Sequence, residues 1–142
     1  MSKTVLITGG AGFIGSNFVH YLRDNYPTYR IVVLDALTYA ASVENLPEQS
    51  IDAMSAGLAN DGAFEFWYGN ICNAELVDAR VEEANYVVHF AAETHVTRSI
   101  YDNLAFFNTD VIGTQVVSNA ILKRGKDVEL FIHISSSEVY GT

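Results

Sequence analysis

The chain has 142 residues, 49% of them hydrophobic and 18% charged, a balance that sets a prior of one packed domain and excludes a disordered segment. Seventeen Asp and Glu against eight Lys and Arg give a formal net charge of −9, which repels a phosphate backbone at long range and argues against nucleic acid as a partner. No apolar run is long enough to span a membrane, and Cys72, the one cysteine, excludes an internal disulfide and suits a reducing compartment.

Met1-Ser2-Lys3 leads straight into Thr4-Val5-Leu6-Ile7-Thr8, with no apolar signal region ahead of it, so a cytoplasmic protein is expected. That apolar, β-branched run without alternation predicts a strand buried on both faces of a parallel sheet. A glycine cluster follows, then Phe13 to about Asn25 reads as a helix with Ile14, Phe18, Tyr21 and Leu22 at helical spacing and Pro27 beyond its end. Ile31-Val32-Val33-Leu34 predicts a second strand, closed by Asp35. The stretch from about Ser42 to Gly62 holds Pro47, Asn60 and Asp61 and reads as a loop with room for a short helix.

Weaker strand signals lie at Phe64–Tyr68, and clear ones at Tyr86–Phe90 and Leu130–Ile134. Between the last two a long helix is predicted over about Ser99 to Arg124, its Val111, Ile112, Gln115, Val116 and Ile121 placed first of all against the sheet. Lys123, Arg124 and Gly125 supply its stop. Strands alternating with helices mean βαβ units: an α/β, Rossmann-type, doubly wound parallel sheet with helices on both faces.

Gly9-Gly10-Ala11-Gly12-Phe13-Ile14-Gly15 fits G-x-G-x-x-G through Gly10, Gly12 and Gly15, and G-x-x-G-x-x-G through Gly9, Gly12 and Gly15. Such a loop turns tightly off a strand, lets backbone approach a pyrophosphate, and rests the phosphates at a helix N-terminus. It follows a strand, opens a helix, and is succeeded twenty residues after Gly15 by Asp35, which is the context the motif requires. Asp35 would accept from the adenosine ribose hydroxyls and repel a 2′-phosphate, so NAD is expected rather than NADP. The alternatives here are an FAD site, or a bare βα turn with Asp35 as its cap.

These residues resemble the extended short-chain dehydrogenase/reductase family, the NAD-dependent epimerases and dehydratases, over essentially residues 1–142. Thr8-Gly9-x-x-Gly12-x-x-Gly15 is similar to its cofactor loop and Ser135–Gly141 to its catalytic strand end. Asp35-Ala36-Leu37-Thr38-Tyr39-Ala40 and Phe90–Ile100 resemble its nucleotide-sugar 4,6-dehydratase branch, whose F-A-A-E-S-H-V-D-R-S-I stretch the latter nearly repeats. The resemblance implies that Phe13, Ile14, Asp35, Leu37 and Thr38 lie along the cofactor. Asn70 and Ile71 would hold the adenine edge, where the family usually has Asp-Ile. Phe90, Ala91, Ala92, Glu93 and Thr109 would line the cofactor's length, with Thr94 also near the sugar.

At the catalytic strand end the branch has Thr-Asp-Glu, and this chain has Ser136-Ser137-Glu138. Ser136 would bind the sugar 4-hydroxyl and Glu138 would remove the C5 proton. Ser137 replaces the expected acid, and a hydroxyl is a poor general acid near neutral pH. The same Ser-Glu form resembles GDP-mannose 4,6-dehydratases and UDP-glucuronate decarboxylases. None of the eight tyrosines is followed four residues later by Lys, so the family's Tyr-x-x-x-Lys pair is not in this sequence. The resemblance implies that the pair, a sixth strand and a sugar-nucleotide domain follow Thr142, and that residues 1–142 alone are inactive.

The expected protein is therefore a NAD-dependent nucleotide-sugar 4,6-dehydratase, seen through its cofactor-binding part. A UDP-sugar 4-epimerase or UDP-glucuronate decarboxylase and a non-catalytic NAD-binding module are its rivals. No metal site is expected from His20, His89, His95 and His133, whose spacing makes no ligand cluster. His89 and His133 read as satisfied sheet residues, and Arg98 as the partner of a carboxylate or a phosphate. By the resemblance, the helices around 99–124 would pair two copies into a homodimer.

Overall fold

The structure, a computed structural model, describes residues 2–47 and 63–141. Five strands pair in parallel: β1 (Thr4–Thr8), β2 (Arg30–Asp35), β3 (Phe64–Tyr68), β4 (Tyr86–His89) and β5 (Leu130–His133), in the spatial order β3-β2-β1-β4-β5. The helices are α1 (Phe13–Asn25), α2 (Ala74–Glu82), α3 (Val96–Tyr101), α4 (Asn103–Phe106) and α5 (Thr114–Arg124). A π-helical segment, Phe107–Gly113, joins the last two. The chain runs outward from β1 to β3, then returns past β1 to β4. That reversal makes the β1/β4 boundary the switch point, where ligands of such sheets bind outside the carboxyl ends of the strands.

All five residues of β1 are buried because both faces of the sheet are covered. Val5 and Ile7 join Val19 and Leu22 of α1 on one face; Leu6 joins Val77 and Val81 of α2 and Val117 and Ala120 of α5 on the other. Alternation along the strand thus feeds two separate cores, each buried Val or Leu contributing about 1.5–3 kcal/mol. The expected Rossmann-type sheet with helices on both faces is what forms.

Several local expectations are corrected. Helix α2 has no counterpart in the sequence reading. The long helix expected from Ser99 starts at Val96, breaks at Asp102 (φ −139°, ψ 79°), and resumes through the π-helical segment. Val111 and Ile112, expected against the sheet, are 52% and 46% exposed; Val117 and Ala120 face it instead. In the described part of the expected loop from Ser42, a 3-10 turn forms over Val43–Asn45, with the Ser42 hydroxyl accepting from Glu44 N–H. Asn60, Asp61 and Gly62 lie outside the described residues.

Candidate functional site

The glycine turn closes directly onto β4. Gly9 has φ +71°, and a Cβ there would lie 2.5 Å from the Ala91 nitrogen, so only glycine fits. A Cβ on Gly15 would lie 2.2 Å from the Gly9 carbonyl oxygen, which sets how closely α1 packs on the turn. Gly12 is different: its nearest neighbour would be the Gly9 oxygen at 3.4 Å, ordinary contact. Nothing in the fold itself demands glycine there, and the open space is what an approaching ligand needs. Gly12 caps α1 without a side-chain hydrogen bond, and the first turn carries no acid. Its N–H groups and the dipole therefore offer a ready anion site. Beside them Phe13 and Ile14 stand 82% and 63% exposed. This combination fits a dinucleotide's diphosphate.

Asp35 ends β2 and is buried. Its Oδ2 accepts from Ala11 N–H at 2.9 Å and its Oδ1 from Leu37 N–H at 2.8 Å. It fastens the glycine turn to the chain after β2, while each oxygen keeps a further lone pair for a ribose hydroxyl. Leu37 sits at φ +49°, a left-handed conformation that is costly for a side-chain-bearing residue. Thr38 beyond it is exposed. After β3, the Asn70 side-chain oxygen accepts from Cys72 N–H at 2.8 Å, leaving its amide group as donor. The Ile71 side chain is buried against the α2/α5 core, so its backbone is what remains to face an adenine.

At the end of β4, His89 is buried between two hydroxyls, Thr8 Oγ1 at 2.6 Å from Nδ1 and Thr114 Oγ1 at 3.0 Å from Nε2. Burial, aided by the nearby His133, pushes its pKa down to about 4, so the ring is neutral and satisfied, as expected from its place in the strand. The Phe90 ring packs on Phe18 of α1, 5.5 Å between centroids; its backbone, with that of Ala91, borders the glycine turn at Gly9, and Ala92 beyond them is exposed. Glu93 N–H donates to Asp110 Oδ1 at 2.8 Å; burial raises the pKa of the Tyr39 phenol, and the Glu93 charge nearby adds to it. Burial likewise raises the Asp110 carboxyl, against the Glu93 hydrogen bond. Thr94 is exposed and Thr109 half-buried. Asp110 escaped the sequence reading because nothing in its neighbours announces that a π-helical segment will turn it toward Glu93.

Ser136, Ser137 and Glu138 are exposed at the carboxyl end of β5, in and before the 3-10 turn Ser137–Tyr140. The Ser136 hydroxyl oxygen accepts from Glu138 N–H at 3.2 Å and keeps its own proton to donate. Arg98 has its guanidinium carbon 3.8 Å from the Tyr39 ring centroid. His95 meets the same ring edge-on, 6.4 Å between centroids. The strand order brings the glycine turn, Asp35, Phe90–Thr94 and Ser136–Glu138 to one edge of the sheet. Among the described residues no group of three His, Cys, Asp or Glu side chains is placed to hold a metal ion.

Residues 6–142 match the family described as GDP-mannose 4,6 dehydratase. The chain is 46% identical to dTDP-glucose 4,6-dehydratase of Streptomyces antibioticus, over 97% of this chain and 38% of the relative. Among solved structures it is similar to the Streptomyces venezuelae dTDP-glucose 4,6-dehydratase DesIV with NAD and TYD bound. The TM-score is 0.81 and the identity 39%, over 98% of this chain and 41% of that one. A UDP-glucose 4-epimerase with UDP-glucose from Thermotoga maritima superposes with a TM-score of 0.76 at 30% identity, over 94% and 38% of the two chains. The chain thus spans about two fifths of the length of these relatives.

Proposed function

We propose that this chain, which belongs to the GDP-mannose 4,6 dehydratase family, is the cofactor-binding part of a NAD-dependent nucleotide-sugar 4,6-dehydratase that acts on dTDP-glucose. The observation that carries the reading is the uncapped start of α1 opening from the glycine turn, with Asp35 fixed behind it. In it, first-turn N–H groups hold the diphosphate, Phe13 and Ile14 cover the dinucleotide, and Asp35 takes the ribose hydroxyls. Leu37, Thr38, Asn70 and Ile71 flank the adenosine, and Phe90 to Glu93 with Thr109 flank the rest. The chemistry that a bound NAD would supply there is reversible hydride transfer with the sugar. Ser136 binds the 4-hydroxyl and Thr94 borders the sugar. Glu138 removes the C5 proton once C4 is oxidised, and Ser137 orients water near the departing 6-hydroxyl. The sequence holds no Tyr-x-x-x-Lys pair, so this reading gives residues 1–142 cofactor binding without turnover.

The reading includes a homodimer and a cytoplasmic location. Leu104, Phe107, Val111 and Ile112 are 65%, 59%, 52% and 46% exposed along successive helical segments, a face suited to a second copy. A second reading, 4-epimerisation or decarboxylation of a UDP-sugar, is favoured by Ser137 standing where the dehydratase pattern has Asp. Full-length protein incubated with dTDP-glucose and, separately, with UDP-glucose and UDP-glucuronate, its products resolved by chromatography and weighed by mass spectrometry, separates them. The proposal predicts a product lighter by one water; unchanged substrate contradicts it, and a UDP-sugar converted at constant mass supports epimerisation.

A further inference from the structure

We propose that Tyr39 and Arg98 form a clasp across the dinucleotide groove that gates entry and release of the bound cofactor, an inference that rests on the reading of this groove as a NAD site. The sheet order places β1 between β2 and β4. The chain leaving β2 and the chain leaving β4 therefore start roughly 10 Å apart, two strand spacings, with the glycine turn between them. Tyr39, four residues past Asp35, and Arg98, nine past His89, nonetheless meet face to face at 3.8 Å. Their contact joins the segment after β2 to α3, which follows β4 on the other side of β1.

Three further observations fix this course. Beyond Tyr39 the chain runs back along the turn itself. Ala41 forms an antiparallel bridge with Gly12, and Ser42 N–H and the Asn45 side-chain amide both donate to the Ala11 carbonyl, at 3.2 and 2.8 Å. Before it, Leu37 is held in a left-handed conformation by Asp35, which redirects the backbone toward β1. Across from it, Glu93 lines the same pocket as Tyr39, and its N–H donates to Asp110 Oδ1.

The pair is not part of either core. Tyr39 is 48% exposed and Arg98 is exposed, and the two border a separate pocket of about 330 Å³ lined also by Glu93, His95, Tyr101 and Phe106 and by no residue of the glycine turn. The ring has room to swing into that space. A cation–π contact of this strength holds a loop closed yet releases it readily, whereas a core contact would not.

Stopped-flow fluorescence of NADH binding to the full-length protein, with release chased by excess NAD, tests the clasp. Tyr39→Ala and Arg98→Ala are each expected to speed NADH release about five- to thirtyfold, the range of such a contact. Association accelerates too, so Kd changes less than either rate. Tyr39→Phe keeps the ring under the guanidinium and stays within about threefold of wild type, and the double Ala variant releases no faster than the single ones. Should an Ala variant fail to fold, Arg98→Gln carries the same expectation. Wild-type rates in the Ala variants, or effects that multiply in the double variant, overturn the clasp while leaving the cofactor site intact. A wild-type protein that binds no NADH overturns the site itself, and the clasp with it.

Discussion

His89 shows how one side chain can tie the groove to the core. Its ring joins Thr8 on β1 to Thr114 on α5, and Thr8 Oγ1 in turn lies 3.4 Å from Ala91 N–H at the groove's edge. Because its folded pKa, about 4, lies below the ordinary 6.5, the folded state binds fewer protons than the unfolded chain between those values. The neutral ring's contribution is whole above pH 6.5 and is lost as pH falls toward 4, by up to about 3 kcal/mol, with no further loss below. Urea melts of wild type and His89→Gln at pH 7, 5.5 and 4 check this: the gap between them narrows toward pH 4, and a constant gap contradicts it. The residue types at the glycine turn, at Asp35 and at His89 were legible in the sequence because each role is imposed by a neighbouring strand. Arg98 was not, since its partner Tyr39 lies fifty-nine positions away and reaches it only through loop geometry.

At the scale of elements, legibility followed the amount of apolar surface each one buries. β1 and β2 are buried along nearly their whole length, and their runs of Val, Ile and Leu announce this. Helix α2 buries only Val77 and Val81, one turn apart, among Glu75, Asp78, Arg80 and Glu82, too thin a stripe to rise above a loop reading. Its start depends on Asn73, whose side-chain oxygen accepts from Leu76 N–H at 3.2 Å. Asn73→Ala is expected to lower stability by about 1 kcal/mol, read as a shift in the urea midpoint at unchanged slope. An unmoved midpoint would mean that tertiary packing alone holds α2. The break at Asp102 and the π-helical segment after it were illegible for a related reason. They follow from how 102–113 seats against Glu93 and Ile71, contacts that no local periodicity encodes.

For the molecule as a whole, the order β3-β2-β1-β4-β5 brings the proposed site residues that follow the strands to one edge of the sheet, though with Thr109 the proposed site draws on six separate stretches of chain. Alternating βα signals made the sheet and its hands legible, and the G-x-x-G-x-x-G spacing with Asp35 placed the groove on it. The contact of Tyr39 with Arg98 was not, because it joins the segment after β2 to α3, and no local pattern encodes how those two sit together. The net charge of −9 makes the anion site at α1 a local feature, created by oriented amides in an otherwise acidic protein. The most direct test of the account is a calorimetric titration of the protein with NAD and, separately, with NADP. The account predicts saturable NAD binding at one site per chain, and NADP binding weaker by at least about tenfold, since a 2′-phosphate would meet the Asp35 carboxylate. No binding of NAD, or equal affinity for both, would contradict it.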